Sequence, residues 1–317
     1  MNIVKQRKGT YLSLLLLLTS SIFAQPIKLT SGLVHTPDVD LFFEVHGDLS
    51  QSTGTPIIFA NGGPGFPLQI TSRSKAWGII SKKWPIVFYD QRGLGSSHLL
   101  NPNAPQSIQA QISDVEALRQ ALGVERIIIA GHSWGGNIAM GYAEAFPQHV
   151  TKMILVDSAG PHWHEEGGST LESFFPDVVE QSRLANKGDN DPKHQDEEYS
   201  RHLSMMFYGE ESRRRFETAA KGIRLNQTIY EANAESMKRE DQWPQLQSLR
   251  IPTLVLTGRF DVNIPPLTAW KIHKAIRDST FIALPKSGHF PFVEEPETFA
   301  RLVTNFLRAQ PVITPAR

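Results

Sequence analysis

The stretch IIIAGHSWGGNIAM, from Ile127 to Met140, decides the fold of this chain, because its serine lies between glycines where an apolar strand ends. A helical pattern begins directly after that serine. Glycines are needed at such a turn because β-carbons would keep the strand and the helix apart. The pentapeptide GHSWG at 131–135 therefore predicts a nucleophile elbow, a strained strand-to-helix turn that exposes the hydroxyl of Ser133. The alternative is a glycine-rich turn with a purely structural role.

Four further apolar runs show the same pattern of a buried strand followed by a turn. They are TPIIFANGGPG, WPIVFYDQRG, TKMILVDSAG and IPTLVLTGRFD. Helical patterns such as SIQAQISDVEALRQALG lie between them. Continuous apolar runs are typical of parallel strands that are covered by helices on both faces. The alternation predicts an α/β fold with a doubly wound, mostly parallel sheet.

This alternation stops between residues 161 and 243, where the chain becomes polar, charged and rich in helix-forming residues. We predict a helical cap at 161–243, inserted into a core formed by residues 25–160 and 244–317. Ligands of open α/β sheets bind beyond the carboxyl ends of the strands. We therefore expect the cap to lie over that edge.

The N-terminus has the features of an export signal. Lys5, Arg7 and Lys8 precede the apolar run YLSLLLLL, and small residues follow it up to Ala24. This pattern predicts a signal peptide at 1–24 that is cleaved near Ala24, and hence a secreted or periplasmic protein. The alternative is an uncleaved membrane anchor, but the apolar run is shorter than the roughly 20 residues that a spanning helix needs.

Composition excludes several classes of protein. The 317 residues, 40% of them hydrophobic, are enough for one large core. The formal net charge falls from zero to −3 when the three cations of the predicted signal peptide are removed, and such a charge argues against binding of nucleic acid. The chain contains no cysteine, so neither a disulfide nor a thiol nucleophile is possible.

A serine hydroxyl is a weak nucleophile that needs a base, and the base must be oriented by an acid. After an elbow of this type the partners follow in the order Ser, Asp or Glu, His. Asp261 and His289 each follow a predicted strand in that order, whereas His273 lies in a helical pattern. Glu294 and Glu295 are alternatives to Asp261, but both come after His289. For each partner, an ordinary polar loop residue is the structural alternative.

Acyl transfer also needs donors for the oxyanion of the tetrahedral intermediate. The amide of Trp134 begins the helix after the serine, and the loop NGGPG after another strand offers a second donor. Pro64 has no amide hydrogen, so we select Gly63. These groups suffice for hydrolysis without a metal or an organic cofactor. The pair His162 and His164 has no third metal ligand in view, and we interpret it as surface or packing residues.

Together the motifs NGGPG, DQRGLGSS, GHSWGG, GRFD and SGH resemble the proline iminopeptidase branch of the α/β-hydrolase fold. The family pattern is His-Gly-Gly-Pro-Gly, Asp-Gln-Arg-Gly-x-Gly-x-Ser and Gly-x-Ser-x-Gly-Gly. The resemblance implies an eight-stranded sheet with a helical cap and a serine peptidase that releases N-terminal residues, often proline, from short peptides. It also implies a triad of Ser133, Asp261 and His289, with Gly63 in the oxyanion hole.

The chain departs from this family in two places. Asn61 replaces the first histidine of the family's glycine-rich motif. The family also binds the free amine of its substrate with cap glutamates, for which Glu210, Glu231 and Glu235 are candidates. A carboxylesterase or related hydrolase of small acyl substrates is therefore the alternative, since one triad serves many chemistries. A binding protein without catalytic activity is a more remote one. The expected partner is a small peptide or ester.

Overall fold

The structure is a computed structural model that describes residues 30–50, 55–161, 170–185, 192–239 and 241–309. The predicted signal peptide at 1–24 and the pair His162 and His164 lie outside these ranges. Within them, no helix has both the length and the apolar character that crossing a membrane requires.

One mixed sheet forms the centre of the molecule. Its strands are β1 (Ser31–His35), β2 (Val39–His46), β3 (Ile57–Ala60), β4 (Ile86–Tyr89), β5 (His98–Leu99), β6 (Ile127–His132), β7 (Val150–Val156), β8 (Thr253–Gly258) and β9 (Ser279–Leu284). Eight of them follow the order β1-β2-β4-β3-β6-β7-β8-β9, and the two-residue β5 pairs with β2 as a ninth. Neighbours from β4 to β9 are parallel, whereas β2 is antiparallel to β1, β4 and β5. The predicted α/β fold is confirmed.

Helices connect these strands and cover the sheet. They are α1 (Gln69–Ser72), α2 (Lys75–Ile80), α3 (Ile108–Ala121), α4 (Trp134–Ala145), α5 (Leu171–Phe174), α6 (Pro176–Ala185), α7 (Pro192–Met206), α8 (Glu210–Ala219), α9 (Gln227–Met237), α10 (Trp243–Leu246), α11 (Pro266–Ala275), α12 (Pro291–Glu294) and α13 (Pro296–Arg308). The side chain of Ser107 caps α3 by accepting a hydrogen bond from the Ala110 amide, as expected for a serine at that position.

Both faces of the sheet are buried, and alternate residues of β6 show this. Ile127 and Ile129 pack into the cluster that contains α3, α4 and α11. Ile128 and Ala130 pack into the opposite cluster, with α2 and α13. Successive side chains of a strand point to opposite faces, so a strand that is covered on both sides has to be apolar throughout. Burial on both faces holds the carboxyl ends of β3, β6, β8 and β9 in place, and the candidate site is built there.

The described helices between β7 and β8, α5 to α10, are called the cap below. One end of α9 lies on the glycine-rich loop after β3, where the Asn226 amide donates to Gly65 O at 2.9 Å. Further along, Asn233 of α9 accepts a hydrogen bond from Gln111 of α3, which is also buried. The cap therefore lies over the loops that follow the strands. Where the inserted domain begins and ends stays a prediction.

Candidate active site

Ser133 lies in the turn between β6 and α4, with φ 53° and ψ −122°. A non-glycine residue in such a conformation is strained by about 1–3 kcal/mol and persists only where its surroundings hold it. The Ser133 amide donates to Val156 O at 3.0 Å and thereby ties the turn to β7. A β-carbon at Gly131 or Gly135 would overlap neighbouring backbone atoms. The glycines thus permit the strained turn, and the turn has the geometry of a nucleophile elbow.

His289 and Asp261 form a buried pair on two neighbouring loops, after β9 and β8. His289 Nδ1 lies 2.7 Å from Asp261 Oδ2, and the two side chains are only 3% and 0% exposed. The other carboxylate oxygen, Oδ1, accepts hydrogen bonds from the Asn263 and Ile264 amides, both at 2.9 Å. A carboxylate accepts, so Nδ1 carries the hydrogen and the lone pair is on Nε2. This is the tautomer that a general base requires.

The Nε2 atom of His289 lies 3.4 Å from Asn263 Nδ2. Among the described residues, no hydrogen bond joins Nε2 to the hydroxyl of Ser133. In the absence of substrate such bonds are commonly long or poorly aligned, and they tighten when substrate binds. The structure therefore brings the predicted acid and the predicted base into direct contact, and among the described residues it gives no hydrogen bond between the predicted base and the predicted nucleophile.

The alternatives to Asp261 are engaged elsewhere. Glu295 accepts hydrogen bonds from the Lys286 amide and from Ser287 Oγ, both at 2.8 Å. Glu294 accepts hydrogen bonds from three backbone amides, among them that of Gly288 at 2.6 Å. Neither carboxylate hydrogen-bonds the ring of His289. Burial raises the pKa of Glu294 to about 7, although the three amides act to lower it.

Of the two predicted oxyanion donors, Gly63 lies in the glycine-rich loop after β3, and Trp134 is the first residue of α4. Neither the Gly63 amide nor the Trp134 amide donates a hydrogen bond within the part of the chain that the structure describes. Gly62 approaches Ser133 so closely that a β-carbon there would lie 3.0 Å from Ser133 Cβ. Free amides beside a serine at the start of a helix form a place where an oxyanion can be bound.

A buried glutamine that the motifs did not identify as a site residue links the glycine-rich loop to the first residue of α4. Gln91 Nε2 donates to Asn61 O at 2.8 Å, and Gln91 Oε1 accepts from the indole of Trp134 at 3.1 Å. Asn61 in turn donates from Nδ2 to Phe66 O at 2.8 Å and to Gly62 O at 3.1 Å. The asparagine thus holds the glycine-rich loop. The DQRG motif was visible in the sequence, but its contact with Trp134 was not.

Asp157, at the end of β7, is a second buried acid beside the pair. One oxygen, Oδ1, accepts hydrogen bonds from the Gly258 amide at 2.7 Å and from Thr257 Oγ1 at 3.2 Å. Burial and the neighbouring Asp261 raise the pKa of Asp157 well above its ordinary value. Two buried carboxylates so close together repel each other, and this repulsion disfavours ionisation of Asp157. An acid directly after the apolar run MILV was the signal that the sequence offered.

The ligand atoms of Asp157, Asp261 and His289 lie within 4.8 Å of one another, a cluster compact enough to be considered for a metal. Oxygen and nitrogen ligands each lie about 2.0–2.2 Å from zinc, which separates two of them by roughly 3.3 Å in a tetrahedral site. The 2.7 Å distance between His289 Nδ1 and Asp261 Oδ2 is that of a hydrogen bond. The cluster therefore contains the hydrogen-bonded acid and base that were predicted for a triad, and its spacing does not fit a metal site.

The backbone of His289 is held from two sides. Its carbonyl lies 2.8 Å from His132 Nε2, and its amide donates to Met206 O of the cap at 2.7 Å. A carbonyl can only accept, so His132 carries a hydrogen on Nε2. Burial and the nearby His289 lower the pKa of His132 well below its ordinary value, and it is neutral at neutral pH. His132 therefore supports the base without competing for the proton.

The three candidate cap glutamates lie on the surface. Glu210 pairs with Arg213 at 2.6 Å and with Arg214 at 3.0 Å. Glu235 pairs with Lys238 at 3.0 Å, and Glu231 accepts from its neighbour Gln227 at 2.7 Å. The arginines lower the pKa of Glu210 to about 2. None of the three forms a buried carboxylate for a substrate amine.

Comparison with known proteins agrees with this geometry. The family model for the alpha/beta hydrolase fold matches residues 55–296. The chain is 27% identical to the proline iminopeptidase of Heyndrickxia coagulans over 274 residues, which are 81% of this chain and 91% of that protein. The resemblance predicted from the motifs is confirmed, as is the assignment as a serine hydrolase.

Solved structures give the same fold. An alpha/beta fold family hydrolase from Bacillus anthracis superposes with a TM-score of 0.74 at 21% identity, and covers 88% of this chain and 100% of its own. A thermophilic esterase from Thermogutta terrifontis superposes with a TM-score of 0.65 at 27% identity, over 90% and 98%. Peptidases and esterases are thus both among the proteins that this chain resembles.

Proposed function

Because the chain belongs to the α/β-hydrolase fold family, we propose that it is a serine aminopeptidase of the proline iminopeptidase type. It releases N-terminal residues from short peptides. The observation that carries this proposal is the buried hydrogen bond of 2.7 Å between His289 and Asp261, on the loops that follow β9 and β8. The identity of the chain with proline iminopeptidases, at the level of the family, supports the substrate class.

The proposed reaction has two steps. Ser133 attacks the carbonyl carbon of the scissile bond while His289 Nε2 accepts the hydroxyl proton, and Asp261 stabilises the imidazolium that forms. The oxyanion accepts hydrogen bonds from the amides of Trp134 and Gly63. His289 then gives its proton to the leaving amine, so that the carbon–nitrogen bond breaks and an acyl-enzyme remains. A water molecule, deprotonated by His289, attacks the ester. The bond to Ser133 Oγ then breaks, His289 returns the proton to that oxygen, and the product acid is released.

A carboxylesterase is the second candidate, because the cap glutamates that were expected to bind an amine are paired with other side chains on the surface. An ester of a small acid needs no carboxylate for an ammonium group. The 27% identity with the Thermogutta terrifontis esterase favours the same alternative. Both candidates use the same serine, base and oxyanion donors.

The experiment that tests the proposal measures the activity of the purified chain lacking residues 1–24 on three kinds of substrate. Prolyl and alanyl p-nitroanilides carry a free amine, N-acetylated anilides do not, and p-nitrophenyl acetate is an ester. Cleavage of the free anilides with little cleavage of the blocked ones supports the aminopeptidase. Turnover of the ester alone contradicts it and supports the esterase.

The proposed location is outside the cytoplasm, after cleavage near Ala24. The apolar run behind three cations in the sequence supports this location. Expression of the full chain in a bacterium, followed by fractionation and N-terminal sequencing, tests it. A protein in the periplasm or medium that begins near Gln25 is expected, and an intact N-terminus in the cytoplasm contradicts the location.

A further inference from the structure

The loop that carries His289 is attached to the cap at one corner. This cap corner, residues 206–209, connects α7 to α8. Its Met206 carbonyl accepts the hydrogen bond from the His289 amide at 2.7 Å. The approach is so close that a β-carbon at Gly288 would overlap Met206 O. A segment of the cap thus forms part of the surroundings of the catalytic base.

Glu294, in α12, holds the same two segments together from a third element. Its Oε1 atom accepts hydrogen bonds from the Tyr208 and Gly209 amides, both at 2.8 Å. Its Oε2 atom accepts from the Gly288 amide at 2.6 Å. One oxygen therefore binds the cap corner, and the other binds the residue before His289. A single carboxylate spans the joint between the two.

Aromatic packing closes this joint on the other side. Phe290, which follows His289, stacks on Phe207 of the cap corner with ring centroids 4.9 Å apart and planes 14° apart. Phe216 of α8 lies against Phe290 as well, at 4.8 Å. Such packing resists separation of the segments but leaves rotation and sliding possible, since apolar contacts have little directionality. The hydrogen bonds of Glu294 are directional, and they fix the orientation of the two segments relative to each other.

We propose that Glu294 is a positioning residue that sets the orientation of His289 and the position of the cap corner together. By accepting hydrogen bonds from both segments, it fixes the distance between His289 and the cap corner. The proposal rests on the catalytic roles proposed for Ser133 and His289. It goes beyond them because it makes the cap corner a part of the base's support.

The chemistry of the side chain suggests a sharp variant. A glutamine has one acceptor oxygen, and its amide group donates. Glu294→Gln can therefore satisfy the cap amides or the Gly288 amide, but not both, because the second side would place two donors against each other. The shape of the side chain is retained. A loss of activity in this variant can then be attributed to the loss of the hydrogen bonds on one side, either to the cap corner or to Gly288.

The neighbouring glutamate is the matched control. Glu295 supports the same turn through Lys286 and Ser287, and has no hydrogen bond to the cap corner among those that the structure gives. Both bonds of Glu295 go to its Oε1 atom, which a glutamine keeps, so Glu295→Gln changes only the charge. If Glu294 acted only through its charge, Glu295→Gln would have an effect of similar size. If Glu294 links the cap to the base, only Glu294→Gln impairs the chemical step.

The test measures kcat and KM of Glu294→Gln, Glu295→Gln and the unmutated chain at 25 °C, on the substrate that each turns over best. The rate at which a fluorophosphonate labels Ser133 is measured as well, since it reports the serine and its base without a cap-bound substrate. Because catalysis is sensitive to small displacements, we expect Glu294→Gln to lower kcat and labelling by about 10-fold or more, with KM changed by less than about twofold. Circular dichroism establishes that each variant is folded.

Three outcomes overturn the inference. They are unchanged kcat and labelling in folded Glu294→Gln, an equal loss in Glu295→Gln, and a change confined to KM. If Glu294→Gln does not fold, Glu294→Asp takes its place, since the aspartate keeps both acceptors on a shorter arm and must show the same fall in kcat. Ser133→Ala separates this inference from the proposed function. If that variant keeps its activity the proposed function is wrong, whereas an inactive Ser133→Ala beside a fully active Glu294→Gln contradicts this inference alone.

Discussion

The core side and the cap side of the active site are held by different kinds of contact. On the core side, the site residues form buried hydrogen bonds, such as those of His289 with Asp261 and of Gln91 with Trp134. On the cap side, several charged residues form ion pairs on the surface, as Glu210 does with Arg213. Exposed ion pairs stabilise a protein by about 0–1 kcal/mol, whereas an unsatisfied buried group costs about 1–3 kcal/mol. The core side is therefore the more constrained by its contacts.

This difference separates the two tasks of a hydrolase. The reacting groups must be held within a fraction of an ångström, and buried hydrogen bonds do that. Selection of a substrate needs only a surface that complements it, and residues that form surface ion pairs on the cap can differ without disturbing the chemistry. At Glu294 the cap is linked by hydrogen bonds to the loop that carries His289. Five experiments test this division, from the largest expected effect to the smallest.

Ser133→Ala removes the nucleophile and should give the largest effect. We expect the rate to fall by about 10³-fold or more, with the stability little changed, because triad serines contribute up to about 10⁶ to kcat. Hydrolysis of p-nitrophenyl acetate and of alanyl p-nitroanilide measures the loss. Thermal unfolding of the same sample serves as the control for folding. An active variant would disprove the assignment of the nucleophile.

Asp261→Asn and Asp157→Asn separate the two buried acids. The asparagine at 261 no longer stabilises the imidazolium or the correct tautomer, and we expect kcat to fall by about 10³- to 10⁴-fold. At 157 an asparagine keeps the shape of the side chain and an oxygen that can accept from the Gly258 amide, and we expect a loss of less than about tenfold. Steady-state kinetics of both variants decide. Losses of equal size would mean that Asp157 is as necessary to the reaction as Asp261.

The pH dependence of stability should report the buried carboxyl of Glu294. Its pKa is about 7 in the folded chain against an ordinary value of 4.5. Between these values the folded state keeps a proton that the unfolded state has lost, so stability falls as the pH rises toward and through 7. The free energy of unfolding of the unmutated chain, minus that of Glu294→Gln, should therefore decrease by up to about 3 kcal/mol between pH 5 and 8. Urea unfolding at several pH values measures it, and a constant difference would contradict the raised pKa.

Gln91→Met keeps the size of the side chain and removes the hydrogen bonds of Gln91 to Asn61 and to Trp134. We expect kcat to fall by about tenfold because the two donor amides lose their common support. KM should change little. Affinity for a boronic acid, which forms a tetrahedral adduct with the serine, should fall with kcat. An unchanged kcat in a folded variant would show that Gln91 serves packing alone.

Glu210→Ala and Glu235→Ala should have the smallest effects. Because both carboxylates form exposed pairs, we expect the free energy of unfolding to change by less than about 0.5 kcal/mol. The value of kcat/KM for free-amine anilides should stay the same. A large and selective loss on those substrates, with the ester rate unaffected, would reveal an amine-binding role that the ion pairs conceal.

Local sequence was enough for a large part of the site. The elbow at Ser133 could be predicted because a tight turn has strict steric requirements that glycines meet. Asp261 and His289 could be predicted because strand ends are recognisable and the chain order is restrictive. The roles of these residues stay predictions until the variants are measured. Glu294 was considered only as a rival acid, because nothing near it in the sequence reveals its partners.

The sequence by itself thus determined which segments are strands and helices, where the strained turn lies and which side chains are candidates to react. These properties depend on steric and hydrophobic patterns over a few neighbouring residues. Tertiary structure alone decided what supports the reacting groups: the contact of Glu294 with Gly209 joins residues 85 positions apart, and that of His132 with His289 joins residues 157 apart. A hydrogen bond between groups so distant in the chain depends on how the whole sheet and its cap are packed, and no local pattern encodes it.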